Sequence, residues 1–129
     1  MENLYIAATD CTPKIFFDQN NHVFEIRGSS YLENTVEFYT PIFSWLTEYL
    51  TPLDDASLTV NIELVYFNSS SSRILLEFFD TLNEKVLQGT VSIDVNWFYE
   101  SEDEDMLEFG EDFQQDYQSL VFHFIEKPQ

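Results

Sequence analysis

Residues 58–73 read LTVNIELVYFNSSSSR and contain the change of pattern that is most informative about the fold. The first ten are rich in β-branched and apolar side chains, which predicts a strand. Beyond the serines, apolar residues recur at 74–76, 78, 79 and 82 with the spacing of a buried helix face. The serines therefore lie where a strand passes into a helix N-terminus, and the free N–H groups and the helix dipole there favour a negatively charged group.

The same alternation of strands and helices extends through the rest of the chain. Strands are predicted at 14–18, 22–27, 58–67, 91–99 and 120–125. Helices are predicted at 34–50, 71–88 and 103–117. Asn34 or Thr35 can cap the first helix, and the pair Gln88-Gly89 is typical of a helix C-terminus. The order β-β-α-β-α-β-α-β indicates an α/β fold, a mixed β-sheet with about three helices.

Length and composition indicate one folded domain. The chain has 129 residues, of which 44% are hydrophobic, so residues 1–129 are expected to form a single domain with residues 1–12 as an N-terminal tail. No segment has the pattern of a signal peptide or a membrane span. The single cysteine, Cys11, cannot form an internal disulfide, which is typical of the reducing cytoplasm.

The charge balance restricts the class of partner. There are 24 acidic residues against 5 basic ones, a formal net charge of −19. Nucleic acids and anionic membranes bind through Lys and Arg that neutralise phosphates, so neither is expected as a partner. A strongly acidic surface favours basic protein partners and accelerates their encounter with the chain at low salt.

No pattern in the sequence favours catalysis. Five carboxylates lie within residues 100–105, but they lack the glycine and spaced ligands of a calcium-binding loop and suit a solvated helix start better. His22, His123 and Cys11 belong to no recognisable nucleophile motif. Three scattered glycines form no phosphate-binding loop. We therefore expect a non-enzymatic protein without catalytic residues, metal or cofactor.

The serine run allows two interpretations from its chemistry alone. Ser69 or Ser70 can be a helix cap that contributes about 1 kcal/mol, with the remaining serines as polar turn residues. Four serines followed by Arg73 are more than a cap requires, and a helix N-terminus tolerates a phosphate well. A regulated phosphorylation site is therefore the second interpretation, and any of Ser69 to Ser72 is a candidate acceptor.

Two segments resemble motifs of the SiaC family, small bacterial phosphoproteins with a fold like the STAS domain of anti-sigma-factor antagonists. The segment 66–73, YFNSSSSR, resembles the family's Tyr-Leu-Asn-Thr-Ser-Ser-x-Arg. The segment 28–34, GSSYLEN, resembles its Gly-Glu-Ser-Tyr-Pro-Glu-Asn element before the first helix. Thr12-Pro13 and the acidic helix after Trp97 also fall in register, so the resemblance extends over nearly the whole chain.

The resemblance implies a phosphorylation-controlled switch in partner binding. Ser69 stands in the place of the family's phosphorylated threonine, which a dedicated serine/threonine kinase modifies and a PP2C-type phosphatase restores. The unmodified form then binds and activates a diguanylate cyclase and so controls cyclic di-GMP and biofilm behaviour. The matching motif positions that support Ser69 or contact the partner are Asn68, Ser70, Ser71, Arg73, Tyr31, Glu33 and Asn34.

Two other function classes stay open at this stage. A passive acidic module, such as a nucleic-acid mimic that covers basic protein surfaces, would need the carboxylates but not the serines. A small enzyme that uses carboxylates would need a cavity containing carboxyl groups with shifted pKa values.

Overall fold

The computed structural model describes residues 1–127, which form a six-stranded sheet and three helices. The elements in chain order are β1 (Leu4–Ile6), β2 (Lys14–Asp18), β3 (Val23–Ser30), α1 (Thr35–Leu50), β4 (Ala56–Phe67), α2 (Ser69–Leu87), β5 (Val91–Glu100), α3 (Glu104–Asp116) and β6 (Val121–Lys127). The predicted α/β class and the three helices are confirmed, with helix bounds that differ from the expected ones by at most two residues.

The strands lie in the sheet in the order in which they occur in the chain. β1, β2 and β3 pair antiparallel, whereas β3, β4, β5 and β6 are all parallel. Each parallel step contains one helix, and right-handed crossovers in a constant direction place all three helices on one face. The carboxyl ends of β3 and β4 therefore lie side by side, together with the starts of the helices that follow them.

Strict alternation along the strands supplies the core beneath the helices. In β4, Leu58, Val60, Ile62 and Leu64 are buried, and the residues between them are more accessible to solvent. The same alternation in β5 buries Trp97 completely. The buried faces of the helices close over this layer, so the hydrophobic effect fixes the register of the sheet.

The opposite face of the sheet is polar and carries most of the chain's ion pairs. Lys14 Nζ lies 3.3 Å from a carboxylate oxygen of Glu25, and Arg27 lies 3.2 Å from Glu63. Burial raises the pKa of Glu25, but hydrogen bonds and charge interactions with Lys14 and Arg27 outweigh it and leave this pKa below its usual value. The side-chain amide of Asn96 donates to Asn61 Oδ1 at 2.8 Å on the neighbouring strand.

The structure differs from the sequence-based expectation near the N-terminus. Within the segment expected to be a tail, β1 pairs with β2 and adds an edge strand to the sheet. A strand of only three residues is too short to be predicted from its pattern in the sequence. β3 also continues to Ser30 and does not end at residue 27. Gly28, with a φ of 122°, marks a shift of register that lets the strand continue beyond it.

No helix within residues 1–127 combines the length and the apolar character needed to cross a membrane.

Candidate functional site

Ser69 is the first residue of α2, directly beyond the carboxyl end of β4. Its side chain is exposed, and its hydroxyl has no hydrogen-bond partner among residues 1–127. Ser70 is exposed as well. The helix expected at 71–88 thus begins two residues earlier, and both serines lie in its first turn.

Asn68 is the residue that caps α2, and this corrects the expectation that Ser69 or Ser70 does so. Its side-chain oxygen accepts from the backbone N–H of Ser71 at 3.0 Å. Its side-chain amide donates to the Leu32 carbonyl at 3.2 Å, and its backbone N–H donates to the Ser30 carbonyl at 3.1 Å. An amide side chain can accept and donate at once, so Asn68 caps the helix and joins the two sequence motifs.

Replacement of Asn68 should therefore destabilise the protein more than replacement of Ser69. Asn68→Ala removes the cap and the bond to Leu32, which together should lower the free energy of unfolding by about 1–2 kcal/mol. Ser69→Ala removes no hydrogen bond and should change it by less than about 0.5 kcal/mol. Urea denaturation of both variants checks this difference. Equal losses would show that Ser69 shares the capping role.

Ser71 lies inside the protein, unlike the two serines before it. Its side chain is 2% exposed, and its hydroxyl is 2.7 Å from the hydroxyl of Ser30. The Ser30 hydroxyl is in turn 2.7 Å from that of Tyr39 on α1. Burial raises the pKa of Tyr39 even though the bond to Ser30 lowers it, so the phenol stays protonated and completes the network.

The sequence indicates only part of this hydroxyl network. Tyr39 has the spacing of the apolar face of α1, and Ser30 is one of several residues in the 28–34 motif. The network lines a small internal cavity of about 20 Å³, which is space for no more than a single water molecule. Its effect is to fix the first turn of α2 against β3 and α1, which leaves Ser69 and Ser70 pointing outward.

Exposed aromatic side chains lie on the segments near the start of α2. Tyr31 and Tyr66 are 44% and 53% exposed and contact each other edge to face, with ring centroids 5.6 Å apart. Phe109 of α3 is 44% exposed and packs on Phe67, with 5.0 Å between centroids. We call the exposed rings of Tyr31, Tyr66 and Phe109 the aromatic rim. Exposed clusters of this kind mark sites of protein–protein contact.

The other predicted site residues lie in or next to the same region. Asn34 caps α1 by accepting from the backbone N–H of Glu37 at 3.2 Å, as one of the two expected caps. Glu33 is exposed in the loop before it. Arg73 is exposed on α2, and Ser72 is half-buried. The fold thus brings together all the candidate residues, although Ser71 faces the interior.

The groups considered for catalysis are dispersed. His22 forms a hydrogen bond with the hydroxyl of Tyr49, and burial raises the pKa of that hydroxyl to about 12. His123 lies elsewhere, on the open face of the sheet, 3.1 Å from a carboxylate oxygen of Asp94. The acidic segment forms the start of α3, where Asp103 caps the helix through the Met106 N–H at 3.0 Å. Among residues 1–127, no group of three or more His, Cys, Asp or Glu is placed to hold a metal ion.

Comparison with known proteins agrees with this geometry. The chain superposes on apo-SiaC of Pseudomonas aeruginosa with a TM-score of 0.87 and 27% identity, over 97% of this chain and 99% of that one. A second crystal structure contains the diguanylate cyclase SiaD of P. aeruginosa in complex with its activator SiaC. The chain superposes on a chain of that structure with a TM-score of 0.88 and 27% identity, over 96% of this chain and 99% of that one.

Sequence comparison leads to the same group of proteins. A protein of P. aeruginosa strain UCBPP-PA14, described only as uncharacterised, is 29% identical over 116 residues, 90% of each chain. The family model for SiaC family regulatory phosphoproteins matches residues 6–127. The chain therefore belongs to the SiaC family of regulatory phosphoproteins.

Proposed function

We propose that this chain is a phosphorylation-controlled activator: its unmodified form binds and activates a diguanylate cyclase, and phosphorylation of Ser69 releases the cyclase. The observation that carries the proposal is the exposed Ser69 hydroxyl at the start of α2, which has no hydrogen-bond partner among residues 1–127 and lies near the aromatic rim. The P. aeruginosa relative that activates SiaD supports a cyclase as the target. The output would be the rate of cyclic di-GMP synthesis and, through it, biofilm behaviour.

The burial of the serines supports Ser69 as the acceptor. A kinase must align the acceptor oxygen with the γ-phosphorus of ATP, so the hydroxyl has to be reachable from solvent. Ser71 is enclosed by Ser30 and Tyr39, whereas Ser69 is open. In the transfer, the Ser69 oxygen bonds to the γ-phosphorus and loses its proton, while the bond from that phosphorus to ADP breaks.

Two modifying enzymes complete the proposed cycle, a cognate serine/threonine kinase and a PP2C-type phosphatase. The phosphatase would hydrolyse the phosphoserine to serine and inorganic phosphate, which restores the binding form. The chain itself would be a non-enzymatic, single-domain protein of the cytoplasm, where ATP and GTP are available. Residues Asn68, Ser70, Tyr31, Glu33 and Asn34 would form the platform and the edge of the binding surface.

The physical basis of the switch is local. The aromatic rim supplies an apolar surface that a partner can cover, and burial of such rings contributes strongly to binding. A phosphate on Ser69 adds a charge of about −1.5 to −2 at the start of α2, next to that surface. In a chain that already carries −19 the long-range field changes little, so the effect comes from the cost of desolvating the new dianion in the interface.

A direct test uses the cyclase that co-purifies with the tagged chain from its own organism. Cyclic di-GMP synthesis from GTP should accelerate when unmodified protein or Ser69→Ala is added. Protein with phosphoserine incorporated at position 69 should leave the cyclase at its basal rate. Activation that is equal with all three proteins, or activation by none of them, would refute the proposal. The first of these results would favour a passive acidic binding module.

A further inference from the structure

Arg73 lies one helical turn beyond Ser69 on the solvent side of α2. Residues four apart in an α-helix point in nearly the same direction, with about 6 Å between their Cβ atoms. Ser71 and Leu75 lie on the opposite, buried side of the same turns. The guanidinium of Arg73 can therefore reach the space above the Ser69 hydroxyl without any change in the helix.

Arg73 also has no ion pair within residues 1–127, in contrast to most cations of the chain. Lys14, Arg27 and Lys127 lie 3.3, 3.2 and 3.7 Å from carboxylate oxygens. Lys85 is buried near the other end of α2 and makes no ion pair among these residues. In a chain with 24 acidic residues, an exposed guanidinium without a carboxylate partner is available to another anion.

We propose that Arg73 is the intramolecular counter-ion of the phosphate on Ser69. The inference rests on the proposed function, in which Ser69 carries that phosphate. The family consists of regulatory phosphoproteins, and this indicates a phosphate independently of the helix geometry. The planar guanidinium can donate two parallel hydrogen bonds to phosphate oxygens, a pairing stronger than a neutral hydrogen bond.

The pairing sets the structure of the modified state. With its phosphate held by Arg73, the side chain of Ser69 lies along the surface of α2 and does not extend into solvent. The bond closes the first turn of α2 and adds to the favourable interaction of the phosphate with the helix dipole. Phosphorylation therefore orders the start of α2 and at the same time withdraws the positive charge of Arg73 from any partner.

The test measures amide hydrogen exchange in the first turn of α2, with phosphoserine incorporated at position 69 during translation. Phosphorylation should slow exchange at residues 70–73 about fivefold in the otherwise unchanged chain. In Arg73→Gln the slowing should be less than about twofold. Arg73→Lys keeps the charge but loses the bidentate geometry, and should fall between the two. In the NMR spectrum, phosphorylation should also shift the Nε–H signal of Arg73.

A matched control removes one positive charge from the same helix at a distance. Lys85 lies roughly 18 Å from Arg73 along α2, so the Lys85→Gln variant should preserve the fivefold slowing. The inference is overturned if Arg73→Gln retains the full slowing, or if Lys85→Gln loses it as Arg73→Gln does. Neither result depends on the cyclase. A phosphoprotein that still activates the cyclase would refute the proposed function, whereas the exchange data would stand as the separate test of Arg73.

Discussion

Phosphorylation of Ser69 should lower the affinity of the chain for the proposed cyclase target by about a hundredfold, a change of roughly 2.7 kcal/mol in binding free energy. The phosphate would be attached to the first residue of α2, next in the chain to the segment that carries the exposed ring of Tyr66. A single charged group left without a partner inside an interface costs about 2–5 kcal/mol. The intramolecular bond to Arg73 reduces this cost in part, because a pair is desolvated less unfavourably than a lone dianion.

Titration calorimetry with unmodified, phosphorylated and Ser69→Ala protein checks this value on a single cyclase preparation. Ser69→Ala should bind as the unmodified chain does, since its hydroxyl makes no hydrogen bond within the described chain. Ser69→Asp should reproduce only part of the loss, because a carboxylate carries less charge than a phosphate.

A control for overall charge is available at the opposite end of β4 from Ser69. Ser57 is exposed near the start of β4, roughly 30 Å from its carboxyl end. Ser57→Asp adds the same charge as Ser69→Asp but should leave affinity unchanged at physiological salt, because interactions beyond the Debye length are screened. A loss of affinity in Ser57→Asp equal to that in Ser69→Asp would assign the effect to net charge and not to the site.

The sequence is sufficient to indicate the candidate site because its pattern changes sharply there. Ten residues of strand character end at Phe67, and the apolar spacing of a helix begins only a few residues later. In a parallel α/β sheet such a transition lies at the carboxyl edge of a strand, where neighbouring loops converge. The contact between the segments 28–34 and 66–73 follows from that topology and could be expected from the two motifs.

The roles of individual serines could not be obtained in the same way. The sequence does not show whether a helix starts at Asn68 or one residue later, yet that choice decides which serine turns inward. Asn68 is the cap because its amide can also donate to Leu32, a contact between distant segments. Ser71 is then carried to the buried side, where the extended end of β3 presents Ser30. Both facts depend on tertiary contacts that periodicity does not encode.

The face of α3 gives a second example. The spacing of Met106, Phe109, Phe113 and Tyr117 is typical of one apolar helix face. In the structure, however, Phe109 is exposed beside Phe67. The residue that faces the sheet next to it is Gly110, which is buried. A bulky side chain is absent at this position because Trp97 already fills the space, and the indole N–H of Trp97 donates to the Met106 carbonyl at 2.8 Å.

Gly110→Ala should consequently lower the free energy of unfolding by about 2 kcal/mol. An added Cβ would lie 2.6 Å from Trp97 Cδ1, 2.7 Å from its Nε1 and 2.8 Å from Phe124 Cε1. Trp97 is fully buried and hydrogen-bonded, so it cannot move away as a flexible side chain would. The better helix propensity of alanine, about 1 kcal/mol, offsets only part of this overpacking.

Thermal and urea denaturation of Gly110→Ala, Trp97→Val and the double variant measure the coupling between the two positions. Valine ends at its γ-carbons and so lacks the Cδ1 and Nε1 atoms that the new methyl group would meet. In the Trp97→Val background Gly110→Ala should therefore cost less than about 1 kcal/mol. An equal cost in both backgrounds would place the conflict at Phe124 and not at Trp97. If Gly110→Ala were stabilising in the natural background, α3 would have to lie farther from β5 than the structure shows, and the exposed position of Phe109 in the aromatic rim would need a different explanation.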